Sequence, residues 1–252
     1  MIRAMIHGCN GRMGTIISEL CEKDNNINVV AGVDKMGQNK FAYPVYTSLA
    51  ECDAEADVII DFSNASAVPE LLAYCVEKKT PCVLCTTGLS AELMEEVTKA
   101  SEQVAILKSA NMSLGINLLL KLVKEAAQVL AGAGFDIEIV EKHHNQKLDA
   151  PSGTAIALAD SINEEFDGSY EYVYDRSQKR AKRDAKELGI SAVRGGSIVG
   201  EHDVIFAGAD EVITFSHTAY SRAVFGKGAV EAAKFLAGKA PGMYNMSHVI
   251  NG

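Results

Sequence analysis

The sequence lacks any apolar run that approaches the roughly 18 residues needed to cross a membrane as a helix. Its opening apolar segment, residues 1–6, breaks at His7 and Gly8 and is too short for a secretory signal peptide. We therefore expect no membrane partner and no export signal, and we predict a cytoplasmic protein that begins with a short β-strand.

Positive charge is also scarce, because 24 Lys and Arg face 33 Asp and Glu and give a net charge of -9. Binding to phosphate backbones needs a positive field, so this balance argues against nucleic acid as a partner. One segment departs from it, since residues 176–186 carry six positive charges in eleven residues. We interpret this basic run as a solvated surface segment; steering of an anionic substrate or cofactor is the alternative.

Cysteines are absent beyond residue 85, and the six that occur do not form the paired C-x-x-C arrangement of a zinc site. Cys82 and Cys85 make one isolated C-x-x-C within an apolar segment, which favours a strand over a redox dithiol. With no targeting segment expected, reduced cytosolic thiols follow. No other grouping has metal-ligand spacing, so we predict no metal.

The chain has 252 residues, of which 48% are hydrophobic and 23% charged, as in a globular protein of one large or two modest domains. In its first half, apolar patterning predicts strands that alternate with helices, over 4–7, 12–22, 28–33, 58–62, 66–78, 81–85, 91–100 and 104–108. Such alternation is typical of βαβ units in a parallel sheet.

The organisation changes near residue 112, where a long apolar helix is predicted over 114–130. Beyond it, the patterns predict strands of an antiparallel or mixed sheet, a helix over 155–166 and a final amphipathic helix over 223–236. The expected strands cover residues 136–141, 170–174, 190–194, 198–206 and 211–217. The fold class is therefore α/β, with a second unit built on a mixed sheet.

Residues 8–14 read GCNGRMG and lie between a predicted strand and a predicted helix. Glycines at this spacing let the backbone approach a pyrophosphate, and the helix start supplies free N–H groups. An acidic residue, Asp34, ends the second predicted strand and can accept hydrogen bonds from the ribose hydroxyls of NAD. Lys35 beside it can pair with the 2′-phosphate of NADP, which indicates use of both cofactors. An ordinary polar turn is the alternative.

Three further loops follow predicted strands of the same sheet, and ligands of open α/β sheets bind at that edge. We therefore predict a cofactor site that combines these loops with the glycine loop and Asp34. Its residues are Gly8, Cys9, Asn10, Gly11, Arg12, Met13, Asp34, Lys35, Phe62, Ser63, Cys85, Thr86, Thr87, Ser109, Ala110, Asn111 and Met112.

A second cluster of chemical groups begins with His143 and His144 and continues through Lys147 to Gly153 and Thr154. Adjacent residues of an extended segment point to opposite faces, so both histidines cannot lie in one core. The predicted helix start supplies backbone N–H groups that can bind a carboxylate. An imidazole, an ammonium and this anion site together suit an acidic substrate that receives a proton.

The segment EKHHNQKLDAPSGTA at residues 141–155 resembles the signature of the dihydrodipicolinate reductase family. Further segments match that family in order along essentially the whole chain, at 8–14, 61–63, 86–88, 111–115, 193–196, 198–202, 221–222 and 228–230. The resemblance implies an NADH- or NADPH-dependent oxidoreductase that reduces 4-hydroxy-tetrahydrodipicolinate to tetrahydrodipicolinate, in diaminopimelate and lysine biosynthesis.

The same resemblance implies roles for individual residues. His143 is implied as proton donor and acceptor and Lys147 as general acid, while His144, Lys147, Gly153, Thr154 and Arg222 contact a small dicarboxylate substrate. It also implies a Rossmann domain formed by 1–111 and 222–252. Residues 112–221 form a substrate-binding domain that assembles a homotetramer.

The chain departs from the family pattern at Cys85, where many members have glycine, and this thiol predicts an oxidation-sensitive activity. Residues 145–146 also replace a basic pair. One alternative function is a related Rossmann enzyme such as an aspartate or homoserine dehydrogenase, which lacks the His-His-x-x-Lys and Ser-Gly-Thr pairing. Others are a non-catalytic NAD-binding regulator, which has no need of His143 and Lys147, and a purely structural oligomer, which needs neither motif.

Overall fold

In a computed structural model, which describes residues 1–38 and 40–252, the chain divides into two compact units. The first unit comprises Met1–Leu114 together with Ala223–Gly252, and the second comprises Gly115–Arg222. The chain therefore leaves the first unit once and returns to it for its last segment.

The first unit contains a seven-stranded parallel sheet in the order β12-β6-β5-β4-β1-β2-β3. Its strands are β1 (Ile2–His7), β2 (Ile27–Val33), β3 (Val45–Tyr46), β4 (Val58–Asp61), β5 (Cys82–Leu84), β6 (Ala105–Leu107) and β12 (Gly242–Tyr244). Its helices are α1 (Arg12–Cys21), α2 (Val68–Lys78), α3 (Ala91–Ser101), α6 (Ala223–Leu236) and α7 (Met246–Asn251).

Helices cover both faces of this sheet, so its central strands are buried on both faces and are mostly apolar rather than alternating. Ala4 and Ile6 of β1 face the core that contains α1 and α6, whereas Met5 faces the core under α2 and α3. A parallel sheet between two helical layers is the Rossmann-like arrangement that the βαβ pattern predicts, and this part of the fold prediction is confirmed.

The second unit holds a five-stranded mixed sheet in the order β11-β10-β7-β9-β8. Its elements are α4 (Leu114–Leu130), β7 (Asp136–His143), α5 (Gly153–Asn163), β8 (Glu171–Val173), β9 (Glu187–Arg194), β10 (Gly200–Ala207) and β11 (Val212–Ala219). Strand β7 pairs parallel with β9 and antiparallel with β10, so the expected mixed sheet is also confirmed.

One face of the mixed sheet packs against α4 and α5. Strand β7 alternates strictly, so that Ile137, Ile139, Glu141 and His143 are buried while the intervening side chains are half-buried. The period of two thus carries two polar side chains onto the apolar face at the end of the strand. This placement brings Glu141 and His143 together.

Three short elements fall outside the sequence prediction, namely β3, β12 and α7. Strands β3 and β12 have two and three residues and lie at the edges of the sheet. They lack the longer apolar run that marks the equally short central strands β5 and β6 in the sequence. Helix α6 is therefore not the final helix, contrary to the prediction, since β12 and α7 follow it. Within the described residues, no helix is both long and apolar enough to span a membrane.

Candidate active site

The predicted cofactor residues all follow the carboxyl ends of neighbouring parallel strands. They lie in the segments that follow β1, β2, β4, β5 and β6, and these five strands are direct neighbours in the sheet. In open parallel sheets this edge holds the ligand. The fold therefore brings these five loops of the first unit to one edge.

The glycine loop needs a glycine at its first position. Gly8 has a φ of 81°, and a Cβ at this residue would lie 2.7 Å from the Phe62 carbonyl oxygen. The loop leads directly into α1, and within the described part of the chain no side chain caps the first turn of that helix. Its amide groups are thus available to a pyrophosphate.

Asp34 joins the end of β2 to the glycine loop. One carboxylate oxygen accepts a 3.1 Å hydrogen bond from the Asn10 amide, and the other accepts a 3.0 Å bond from the Met36 amide. A carboxylate has about four lone-pair sites, so it can still accept ribose hydroxyls. Lys35 beside it is exposed.

A cavity of about 290 Å³ lies at this edge of the sheet. Its walls include Gly8 and Gly11 from the glycine loop, Asp34 and Lys35 after β2, and Ser63 after β4. The cavity therefore joins three of the predicted cofactor loops within the first unit.

Asp61, the last residue of β4, is fully buried and connects three loops. It pairs with His7 Nδ1 at 2.8 Å, accepts a 2.6 Å bond from the Thr86 hydroxyl and a 3.2 Å bond from the Ser63 amide. Burial raises the pKa of Asp61, but the hydrogen bond and charge of His7 and the bonds from Ser63 and Thr86 bring it below its ordinary value. An ionised carboxylate thus fixes the loops after β1, β4 and β5.

The two cysteines of the C-x-x-C pack against different cores, on opposite sides of the parallel sheet. Cys82 is fully buried under α2 and α3, whereas Cys85 is half-buried against the core of α1 and α6. This geometry does not suit a redox dithiol, and both residues are free thiols. Burial also raises the pKa of the Cys85 thiol well above its ordinary value.

Not every predicted cofactor residue presents its side chain to a ligand. The Cys9 and Met112 side chains are buried in the core shared with α1 and α6, so only their backbone groups can serve a cofactor. Arg12, Thr87 and Ala110 are exposed, and Asn10, Met13, Phe62, Ser109 and Asn111 are half-buried.

The second unit places His143 beside a buried carboxylate. His143 Nδ1 lies 2.6 Å from Glu141 Oε2, and both side chains sit on the helix-covered face of β7. Burial lowers the pKa of His143 below its ordinary value, with smaller contributions from the charges of Lys147 and Arg194, although Glu141 opposes the change. A neutral imidazole is therefore the resting form at neutral pH.

Glu141 is held by three partners, which are His143, Arg194 and the Ser152 amide. Arg194 at the end of β9 binds both carboxylate oxygens at 2.7 Å, and the Ser152 amide donates at 2.9 Å. Burial raises the pKa of Glu141, but the bonds from Arg194, His143 and Ser152 outweigh it and leave the pKa below its ordinary value. The carboxylate is ionised.

Ser152 caps α5. Its hydroxyl accepts a 3.1 Å bond from the Ala155 amide and lies 3.0 Å from His202 Nε2. His202 is 3% exposed, and burial lowers its pKa to about 4. Gly153 and Thr154 form the first helical turn, at the positive end of the helix dipole.

Lys147 lies in the loop between β7 and α5. Its ammonium donates a 2.7 Å hydrogen bond to Asp149 Oδ1, while its amide bonds the His144 carbonyl at 3.2 Å. Burial raises the pKa of Asp149, but the Lys147 bond and the Gly153 amide help to bring it below its ordinary value. His143, His144, Lys147 and the α5 start thus belong to one continuous segment.

Within the part of the chain that the structure describes, Arg222 and the basic run make no recorded hydrogen bond or ion pair with this segment. Arg222 is exposed and is the last residue of the second unit. In the basic run, Arg176 and Lys179 pair with Glu187, and Arg183 pairs with strand β7 through Glu138. Part of the run is therefore neutralised within its own unit, which favours the surface-segment interpretation over steering.

Sequence reasoning assigned no role to Asp61, His7, Glu141, Arg194 or His202. The alternation along β7 could have indicated Glu141, because it shares a face with His143. Arg194 and His202 lie 53 and 50 residues from the groups they contact, a separation that no local pattern reveals. Among the described residues, no group of His, Cys, Asp or Glu has the arrangement of a metal site.

Comparison with known proteins matches this chain to two family models. "Dihydrodipicolinate reductase, N-terminus" matches residues 2–112, and "Dihydrodipicolinate reductase, C-terminus" matches residues 115–250. The chain is 56% identical to 4-hydroxy-tetrahydrodipicolinate reductase of Caldanaerobacter subterraneus subsp. tengcongensis, over 99% of this chain and 98% of the relative. It is 51% identical to the Clostridium tetani protein of the same name, over 100% and 98%.

Solved structures agree with this relationship. The dipicolinate-bound dihydrodipicolinate reductase from Paenisporosarcina sp. TG-14 is similar with a TM-score of 0.80 and 26% identity, covering 97% of each chain. The WlbA dehydrogenase from Chromobacterium violaceum, solved with NADH and UDP-GlcNAcA, has a TM-score of 0.60 at 14% identity. It covers 99% of this chain and 90% of that chain, and the likeness concerns the fold alone.

Proposed function

The chain belongs to the dihydrodipicolinate reductase family, an oxidoreductase family, and we propose that it reduces 4-hydroxy-tetrahydrodipicolinate to tetrahydrodipicolinate with NADH or NADPH. The reaction serves diaminopimelate and lysine biosynthesis. The observation that carries the proposal is the continuous segment that holds His143, Lys147 and the capped start of α5. It supplies a titratable group, a cation and an anion site together.

The glycine loop, Asp34 and the cavity between them fit a dinucleotide. Gly8 leaves no room for a side chain beside Phe62, and the uncapped start of α1 offers amides to a pyrophosphate, as far as the described residues show. Asp34 binds the ribose, and Lys35 accommodates the 2′-phosphate of NADPH. The nicotinamide ring, when bound, supplies the hydride. The other predicted cofactor residues line the same edge from the loops after β4, β5 and β6.

The second unit binds a small dicarboxylate in this proposal. The Lys147 ammonium and the amides of Gly153 and Thr154 each favour a carboxylate, and His144 adds a hydrogen bond. Arg222 contributes a further cation. The dipicolinate bound to the similar Paenisporosarcina reductase is a dicarboxylate of this kind.

His143 moves the proton. Its neutral imidazole is held through Nδ1 by Glu141, which leaves Nε2 to take up a proton and deliver it to the substrate. Lys147 acts as general acid and as carboxylate anchor, because its ammonium can donate hydrogen bonds while it balances substrate charge. Hydride and proton together convert the substrate, with the 4-hydroxyl leaving as water.

The domain assignment follows from these roles. We assign dinucleotide binding to residues 1–111 with 222–252, and substrate binding and assembly to residues 112–221. A homotetramer is part of the proposal, because α4 and α5 cover one face of the mixed sheet only. On the other face, Val193 is 45% and Val212 61% exposed. Sedimentation at several concentrations tests this, and a monomer throughout contradicts it.

The location and partners complete the proposal. All six cysteines are free thiols, as expected for a reducing compartment such as the cytoplasm. The net charge of -9 argues against nucleic acid as a binding partner.

The decisive experiment couples a dihydrodipicolinate synthase to the purified protein and follows the loss of reduced nicotinamide absorbance. We expect turnover with both NADH and NADPH. His143→Gln and Lys147→Met should each lower kcat by about 10²- to 10⁴-fold if they transfer protons. If neither NADH nor NADPH supports turnover, the proposed function is contradicted. If the substitutions change only KM, the two residues act in binding.

A further inference from the structure

Glu141 is a fully buried carboxylate whose two oxygens each meet two donors. Oε2 lies 2.6 Å from His143 Nδ1 and 2.7 Å from Arg194 Nη1. Oε1 accepts from Arg194 Nη2 at 2.7 Å and from the Ser152 amide at 2.9 Å. No oxygen of this carboxylate is left to serve a substrate, so Glu141 acts on its neighbours.

The arrangement fixes where the hydrogen of His143 resides. An ionised carboxylate only accepts hydrogen bonds, so His143 Nδ1 must carry the hydrogen in the bond to Glu141. The bidentate Arg194 contact keeps Glu141 ionised and holds its plane in one orientation. The lone pair of the neutral ring is therefore on Nε2.

The ring is also restrained on its other sides. His143 and His202 pack edge to face with ring centroids 5.1 Å apart, and His202 is anchored to Ser152. A Cβ at Gly200, the first residue of β10, would lie 3.1 Å from His143 Nε2. Glycine at this position therefore leaves Nε2 uncrowded.

The ion pair of Glu141 and Arg194 also contacts the loop that carries Lys147. Arg194 Nη2 donates a 2.6 Å bond to the Asp149 carbonyl, and Glu141 receives the Ser152 amide at the start of α5. The end of β7, the loop that carries Lys147 and the first turn of α5 are thus tied to one ion pair.

We propose that Glu141 and Arg194 are positioning residues that hold His143 with its hydrogen on Nδ1, so that Nε2 exchanges the proton during reduction. Glu141 supplies the acceptor. Arg194 balances its charge, so that the carboxylate orients the imidazole without turning it into a permanent imidazolium. The proposal rests on the proposed function only in naming His143 as the proton-transfer residue.

The first test is direct. Two-bond ¹H–¹⁵N spectra of ¹⁵N-histidine-labelled wild-type protein at neutral pH report which ring nitrogen of His143 carries the hydrogen, with His143→Gln to assign the signal. We expect Nδ1–H. A hydrogen on Nε2 in the wild-type protein overturns the proposal without reference to activity.

The second test is Glu141→Gln, which keeps the shape but offers an amide that can donate to Nδ1. We expect the Nε2–H form to appear and kcat to fall by at least about 10²-fold, with KM within about threefold. Glu141→Asp should restore the Nδ1–H form and part of kcat. An unchanged tautomer with kcat within about threefold of wild type overturns the proposal.

Arg194 is tested by Arg194→Gln and Arg194→Lys. The first leaves the carboxylate without its cation, so the NMR-titrated pKa of His143 should rise by about one unit or more, and Lys should reverse part of this rise. An unchanged pKa in Arg194→Gln contradicts the charge-balancing role. These variants also keep the proposal testable if Glu141→Gln does not fold.

Asp57→Asn is the matched control, because Asp57 is held by Arg3 at 2.8 Å in a carboxylate–guanidinium pair of the first unit. It should change neither the His143 tautomer nor kcat. Full activity of His143→Gln would contradict the proposed function, whereas the tautomer of Glu141→Gln decides the positioning role independently.

Discussion

Lys147 Nζ donates a 2.7 Å hydrogen bond to Asp149 Oδ1, so the cation expected to bind a substrate carboxylate is already paired within its own loop. The backbone amide of Gly153 also lowers the pKa of this carboxylate. Asp149 therefore interacts with two of the groups that we assign to the substrate. Substrate binding then exchanges one carboxylate for another.

Asp149→Asn should lower the substrate KM by about two- to fivefold, with kcat within about twofold. The expected effect is small because the Asp149 side chain is 58% exposed and such a pair is worth at most about 1 kcal/mol. Steady-state kinetics of the coupled reaction measure it, with the exposed Asp175→Asn as control. A higher KM would instead show that Asp149 orients Lys147 for the substrate.

Lys35→Ala should raise the KM for NADPH by about fivefold and leave the KM for NADH within about twofold. The reason is that an exposed ammonium beside the ribose contributes about 1 kcal/mol to a 2′-phosphate and nothing to a hydroxyl. Lys23→Ala, an exposed lysine after α1, is the control. Equal effects on both cofactors would refute the ribose assignment at this edge.

Asp61→Asn should lower the free energy of unfolding at neutral pH by about 3 kcal/mol, because it removes the charge that His7 and Thr86 satisfy in the interior. The wild-type contribution is present above the unfolded carboxyl pKa of about 3.9 and is lost as pH falls through the lower folded pKa. Urea unfolding between neutral and acid pH measures both effects. The variant should lack that part of the acid slope.

The exposed Glu19→Gln on α1 serves as its control and should leave stability and its pH dependence unchanged. If Asp61→Asn were as stable as wild type at neutral pH, Asp61 would not be the anchor of the three loops.

Cys85→Gly should leave the rate of peroxide inactivation unchanged at neutral pH. The sequence alone predicts an oxidation-sensitive thiol, but burial raises the Cys85 pKa, and the thiolate that reacts with peroxide is then scarce. Residual activity after timed peroxide exposure measures this in both proteins. Protection confined to the glycine variant would restore the sequence-based expectation.

The sequence predicts what repeats locally. Alternating strands and helices gave the parallel sheet, the strand pattern beyond residue 112 gave the mixed sheet, and the motif resemblance identified the family; all three are confirmed. The Ser152 cap was also predictable, because a helix start has a local side-chain signature. The residue roles in the two sites remain predictions.

Contacts between strands that lie far apart in the sequence could not be predicted from local patterns. Arg194 reaches Glu141 across 53 positions because β9 pairs with β7 in register, with His143 opposite Arg194. His7 and Asp61 are 54 positions apart and meet because β1 and β4 are neighbours. Both pairings depend on strand order, which periodicity does not specify.

Asp34 has two roles, in the glycine loop and in the proposed ribose contact, and together they limit how cofactor preference can evolve. The side chain that we assign to the ribose also receives the Asn10 amide and so braces the glycine loop. Replacing Asp34 to accommodate a 2′-phosphate would remove the hydrogen bond to the Asn10 amide and so weaken the binding of either dinucleotide. Adaptation between the two cofactors is therefore expected to proceed through Lys35, which can change without disturbing the loop.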